Sequence, residues 1–208
     1  MENLAASVAP LIEWGVANHV LRGQETSGDI HIVKSFSHGV LLAAVDGIGH
    51  GQEAASAAAI AGSILEAHSD EPVIKIVQQA HEKLRGTRGV VMSIAGFNLL
   101  HGLMTWLGVG NVTGVLLRSG PGRILEEESL LLRSGVIGAR LPPLQAAVLP
   151  LSPGDTLILA TDGIETNFDR QVARSQAPQK AAQAILDRHG KSTDDALVLV
   201  ARYFGNQT

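Results

Sequence analysis

Cysteine is absent from the 208-residue chain. That excludes disulfide frameworks, thiolate zinc sites and thiol nucleophiles, and leaves any catalysis to oxygen and nitrogen groups. Charge is sparse as well. Charged residues make up 17%, and 16 Lys plus Arg against 20 Asp plus Glu give a formal net charge of −4, which speaks against a nucleic-acid binder carried by bulk electrostatics. No apolar run approaches the roughly 18 residues of a membrane span, and the opening MENLAASVAPLIEWG has no basic region followed by an apolar stretch. These absences predict a cytoplasmic protein with no membrane and no nucleic acid among its partners. Aromatics amount to only 3%. Trp14 and Trp106 fall in strand patterns and read as core or sheet-face packing.

What is present is material for a core. Apolar residues make up 45%, and a chain of this size hides about 70% of its unfolded surface, so one domain over residues 1–208 is expected. The 23 glycines punctuate short runs rich in β-branched residues. IEWGVANHVL, DIHIVKSF and VLLAAV read as strands, the last two joined by a hairpin at Ser37, His38 and Gly39. VVMSIAGF, LMTWLGVG and VTGVLLR are spaced like an antiparallel meander, with tight connections at Asn98 to Gly102 and at Gly110 to Asn111. TLILAT and ALVLVARYF read as further strands. Two successive helices are predicted, Gly51 to His68 and Pro72 to Arg85, the second repeating Val73, Ile76, Val77, Ala80 and Leu84 at helical spacing. Another runs from about Pro178 to Arg188 with proline at its start. Gly135 to Pro153 reads as one long irregular connection. This order is α+β with largely antiparallel sheets.

The acidic residues carry the chemical signal. Asp46 closes VLLAAV and opens DGIGHG, Asp162 closes TLILAT and opens DGIE, and Asp194 and Asp195 immediately precede ALVLV. A carboxylate at the end of a buried strand is costly unless its charge is matched, and no Lys or Arg lies within two positions of Asp46 or Asp162. A divalent cation answers all three sites together, and oxygen-only ligands select Mg²⁺ or Mn²⁺ over zinc or copper. Gly47 and Gly163 directly follow their carboxylates, where the missing Cβ lets the chain turn and bring a backbone carbonyl to an ion. A carboxylate at Asp46 shared by two ions about 3.5–4 Å apart suits in-line attack on phosphorus.

Four motifs, GD at Gly28 and Asp29, DGIGHG at Asp46 to Gly51, TDGIE at Thr161 to Glu165 and DDALVLV at Asp194 to Val200, resemble in that order those of the metal-dependent PPM-type serine/threonine phosphatases. The SpoIIE-like and RsbX-like bacterial branch is the nearest in look, from about Asn18 to Phe204. The resemblance implies two packed antiparallel sheets flanked by helix pairs, with a site for two Mn²⁺ or Mg²⁺ ions at one end of the sandwich. It implies Asp46, the Gly47 carbonyl, Asp162 and Asp194 as metal ligands, Asp194 being preferred to Asp195 as the first acidic residue of its motif. Asp29 would hold metal-bound water from behind, and a metal-bridging hydroxide would attack the phosphoryl group. The implied substrate is a phosphoserine or phosphothreonine of a signalling protein, by the RsbX-like likeness a STAS-domain regulator of a stress-signalling complex.

The chain departs from the family pattern in two places. Ile48 stands where many members carry a histidine directly after DG, which leaves the general acid unnamed. No arginine precedes the first acidic motif in register, Arg22 being displaced and Gln24 nearer the expected place, so phosphate binding would fall to the metals alone. His50, before the alanine-rich helix, reads as a cap or an exposed side chain. Two other readings share the pattern: a binding module that kept the fold without the chemistry, and a metal phosphohydrolase for small phosphate esters.

Overall fold

The computed structural model describes residues 11–120, 126–168 and 170–205; the first ten residues, part of the segment read as lacking a leader, lie outside them. The chain opens with β1 (Ile12–His19), β2 (Asp29–Phe36) and β3 (Gly39–Gly47), then the helices α1 (Gln52–Ala67) and α2 (Val73–Leu84). Next come β4 (Val90–Asn98), β5 (Leu103–Val109), β6 (Thr113–Leu117), β7 (Glu127–Ser129), β8 (Leu132–Arg133), β9 (Ala147–Pro150) and β10 (Thr156–Ala160). The helices α3 (Gln171–Ser175) and α4 (Pro178–His189) lead into β11 (Ala196–Tyr203). One sheet has the order β1-β11-β10-β6-β7; the other runs β2-β3-β4-β5-β8, with β9 also on β5. All pairings are antiparallel except β5 with β8.

The apolar runs are continuous because both faces of the central strands are buried. In β3, Leu41, Ala43 and Val45 face the α1–α2 layer, whereas Val40, Leu42 and Ala44 face the other sheet. The same alternation in β11 sends Leu197, Leu199 and Ala201 between the sheets and Ala196, Val198 and Val200 against α3 and α4. Period-two alternation thus builds three apolar layers from strands that show no polar face. Close approach by α4 is set by Gly15, where a Cβ would lie 2.2 Å from the Gln179 Cα.

Two expectations are corrected. The meander ends after two strands, because Gly110 (φ 97°) and Asn111 carry the chain out of one sheet and β6 pairs with β10 in the other. A Cβ on Gly110 would meet Val91 at 2.1 Å, and buried Val112 turns into the layer between the sheets; burial of that side chain overrides local hairpin continuation. The stretch Gly135 to Pro153 contains β9, which adds an edge to β5. Trp14 is 43% exposed and tilts against His31, whereas Trp106 is buried between the sheets.

Candidate metal centre

The acidic motifs converge because the strands that carry them end on the same side of the sandwich. Asp29 opens β2 and Asp46 lies near the end of β3, and the two are direct cross-strand partners. Asp162 follows β10 by two residues, and Asp194 and Asp195 precede β11. A cleft of about 210 Å³ is lined by Asp46, Ile48, Gly49, His50, Asn111, Asp162, Thr193 and Asp194. Three of the carboxylates singled out as ligands therefore share one cavity.

Asp29, Gly47 and Asp195 lie outside that lining. Asp29 is 5% exposed, and its Oδ2 accepts a hydrogen bond from the Thr161 hydroxyl at 2.6 Å. That hydroxyl in turn accepts from the Leu197 N–H, so Thr161 ties the two sheets together behind the cleft. The Gly47 N–H donates to the Gly28 carbonyl, and a Cβ on Gly47 would meet the Ala54 carbonyl oxygen at 2.2 Å. Only glycine lets α1 pack so closely under the DG turn. The neighbouring acids, Asp194 and Asp195, have different surroundings. Asp195 is buried, and its two oxygens accept from the backbone N–H groups of Leu21 and Gly28, each at 2.7 Å. It braces the loop between β1 and β2, while Asp194 faces the cleft.

The electrostatics are those of uncompensated negative charge. Burial, reinforced by repulsion from Asp29 and then from Asp162, Asp194 and Asp195, pushes the Asp46 carboxyl up to about 8. Burial likewise raises Asp29 to about 7, against the opposing hydrogen bond from Thr161. Asp162 is raised by burial and by Asp194, with Lys191 and the Asn111 amide pulling the other way. Charge at such a site is stabilised by a cation of matching hardness.

Among the described residues, no three His, Asp or Glu side chains form a ready-made metal cage. The donor set nevertheless fits Mg²⁺ or Mn²⁺, since these ions take one or two carboxylates each, keep several waters and bind substrate phosphate rather than requiring an all-protein cage. Asp46, Asp162 and Asp194 line enough space for waters as well.

Several contributors come from distant sequence. The Lys191 ammonium donates to the Asp162 carbonyl, and the Lys191 N–H donates to that of Gly163. Asn111 donates from Nδ2 to Asp162 Oδ2 at 2.7 Å. The Arg88 guanidinium lies against Gly49 and pairs with Glu53; Arg22 is exposed, and Gln24 sits beside Gly51 at the start of α1. His50 is exposed and lines the cleft. Register could have signalled Asn111 had VTGVLLR been paired with TLILAT; Arg88 and Lys191 have no local signal.

Fold and site together define a phosphatase of the PPM type. Residues 37–204 match the family model described as "Stage II sporulation protein E (SpoIIE)", and the chain belongs to that family. It is 26% identical over 142 residues to the phosphoserine phosphatase RsbX of Bacillus subtilis (strain 168), covering 68% of this chain and 69% of RsbX. A chain from a structure of the bacterial stressosome, described as a modular system adapted to control secondary messenger signaling, superposes with a TM-score of 0.86 at 30% identity, covering 92% of this chain and 99% of that one. RsbX crystallised with magnesium shares the fold at a TM-score of 0.82 and 22% identity, with 92% and 95% of the two chains covered.

Proposed function

We propose that the protein removes phosphate from phosphoserine or phosphothreonine of a bacterial signalling protein, a STAS-domain component of a stressosome-type complex, acting in the cytoplasm as one domain. The observation that carries this reading is the convergence of Asp46, Asp162 and Asp194 on one cleft in a chain of the SpoIIE family. The partner is supported by the likeness to RsbX and to the stressosome chain.

Asp46, Asp162 and Asp194, with the Gly47 carbonyl, would hold two Mn²⁺ or Mg²⁺ ions. When bound, such ions supply an activated water and neutralise phosphoryl charge. Asp46, held at its ladder position between β2 and β4, would be the ligand that both ions share. Asp29 stands behind it, oriented by Thr161, to hold water. His50 is the one imidazole in the cleft lining and supplies the proton for the departing serine oxygen from a ring nitrogen, the role left open by Ile48. No phosphorylated enzyme side chain is required, in keeping with the absence of cysteine.

The test is hydrolysis of a phosphoserine STAS protein and of p-nitrophenyl phosphate with Mn²⁺ and with EDTA. Activity should require the metal. Asp46→Asn and Asp162→Asn should each lose on the order of 1000-fold, equivalent to about 4 kcal/mol, while their metal-free forms stay folded. Full turnover in EDTA, or by either variant, overturns the reading.

A further inference from the structure

The antiparallel register of β6 with β10 pairs Thr113 with Ala160. Two residues outward, the same register brings Asn111 opposite Asp162. The chain makes this juxtaposition where it leaves one sheet for the other: Gly110, in left-handed backbone, donates to the Arg133 carbonyl, and Val112 is anchored between the sheets. Between those two anchors Asn111 is exposed, lines the cleft, and donates Nδ2–H to Asp162 Oδ2 at 2.7 Å. On the other side of the same residue, Lys191 holds the Asp162 backbone carbonyl.

We infer that Asn111 is a positioning residue for Asp162, deepening the proposed metal-dependent reading. Its amide engages Oδ2, which would hold the Asp162 carboxylate in one orientation for an ion. A carboxylate at a turn, two residues past the end of its strand, otherwise samples several rotamers, and a ligand that must be ordered on binding costs affinity. Hydrogen bonds behind a metal-ligating carboxylate are worth roughly 10–100-fold in metal affinity. An amide serves here better than a carboxylate, because it donates without adding repulsion next to Asp162 and Asp194.

The experiment is calorimetric titration of the metal-free full-length protein with Mn²⁺, no substrate present. Asn111→Leu, of similar size but without a donor, should bind Mn²⁺ at least about 10-fold more weakly than the parent, with thermal unfolding in EDTA little changed. Asn111→Gln and Asn111→His keep a donor and should recover part of the loss. Should the leucine variant not fold, Asn111→Ala serves the same comparison. Unchanged Mn²⁺ affinity in the folded donor-less variant overturns the inference while leaving the metal reading intact. A parent protein that binds no Mn²⁺ overturns both.

Discussion

Asp29 and Asp46 face each other directly across the β2–β3 ladder, with Asp29 buried and Asp46 partly so. Like charges directly opposite are destabilising. Burial raises both carboxyls, Asp29 to about 7 and Asp46 to about 8, and at Asp46 the repulsion from Asp29 adds to it.

This pair gives a stability prediction for the metal-free protein. Between roughly pH 4 and pH 8 the folded state holds protons on these carboxyls that the unfolded chain has released, so stability falls as pH rises across that window. In EDTA, the unfolding free energy by urea titration should be lower at pH 8.5 than at pH 5.5 by at least about 2 kcal/mol. Mn²⁺ should reverse the trend, since binding displaces those protons. Equal stability at the two pH values in EDTA contradicts the assignment.

His50 should matter in proportion to how poor the leaving group is. A serine alkoxide needs a proton as it departs, whereas p-nitrophenolate does not, and general acids contribute roughly 10²–10⁴-fold. His50→Ala should therefore slow phosphoserine hydrolysis about 100-fold or more and p-nitrophenyl phosphate hydrolysis much less. A uniform loss on both substrates points instead to a role in binding.

Gly163 should tolerate no side chain. A Cβ there would lie 1.9 Å from the Asp195 carbonyl oxygen, a backbone atom of the strand-leading segment that also carries Asp194. Gly163→Ala should lower stability by about 1–3 kcal/mol and weaken Mn²⁺ binding by displacing Asp162 from Asp194. Calorimetry and denaturant titration on the same sample measure both, and a variant as stable as the parent would show that the two segments move apart freely.

Substrate recognition should extend beyond the phosphorylated residue. The cleft lining contains no arginine, Arg88 being turned to Glu53, so much of the affinity must come from surface contacts remote from phosphorus. We expect kcat/KM for the intact phosphoprotein to exceed that of its excised phosphopeptide by at least about 100-fold, or about 2.7 kcal/mol. Side-by-side kinetics at fixed Mn²⁺ decide it; equal values would place recognition at the phosphoserine itself.

Much of this protein is legible in its sequence because local rules suffice. The helices α1, α2 and α4 follow from apolar spacing, and the hairpin at Ser37 and His38 from turn chemistry. The strand-end placement of Asp46, Asp162 and Asp194 is visible as acid following an apolar run. What the sequence could not determine is which strands become neighbours. Leaving β5, the chain looks set for another hairpin, yet Val112 is buried between the sheets and β6 pairs with β10. That choice alone brings Asn111 to Asp162. Packing of separate segments likewise sets Lys191 on the Asp162 carbonyl and Arg88 against Gly49, and it gives Asp195 its two backbone donors while turning Asp194 to the cleft. Adjacent identical residues cannot be told apart by composition or spacing; only the hydrogen-bond donors that tertiary structure brings to Asp195 separate the residue that braces a loop from the one that lines the cleft.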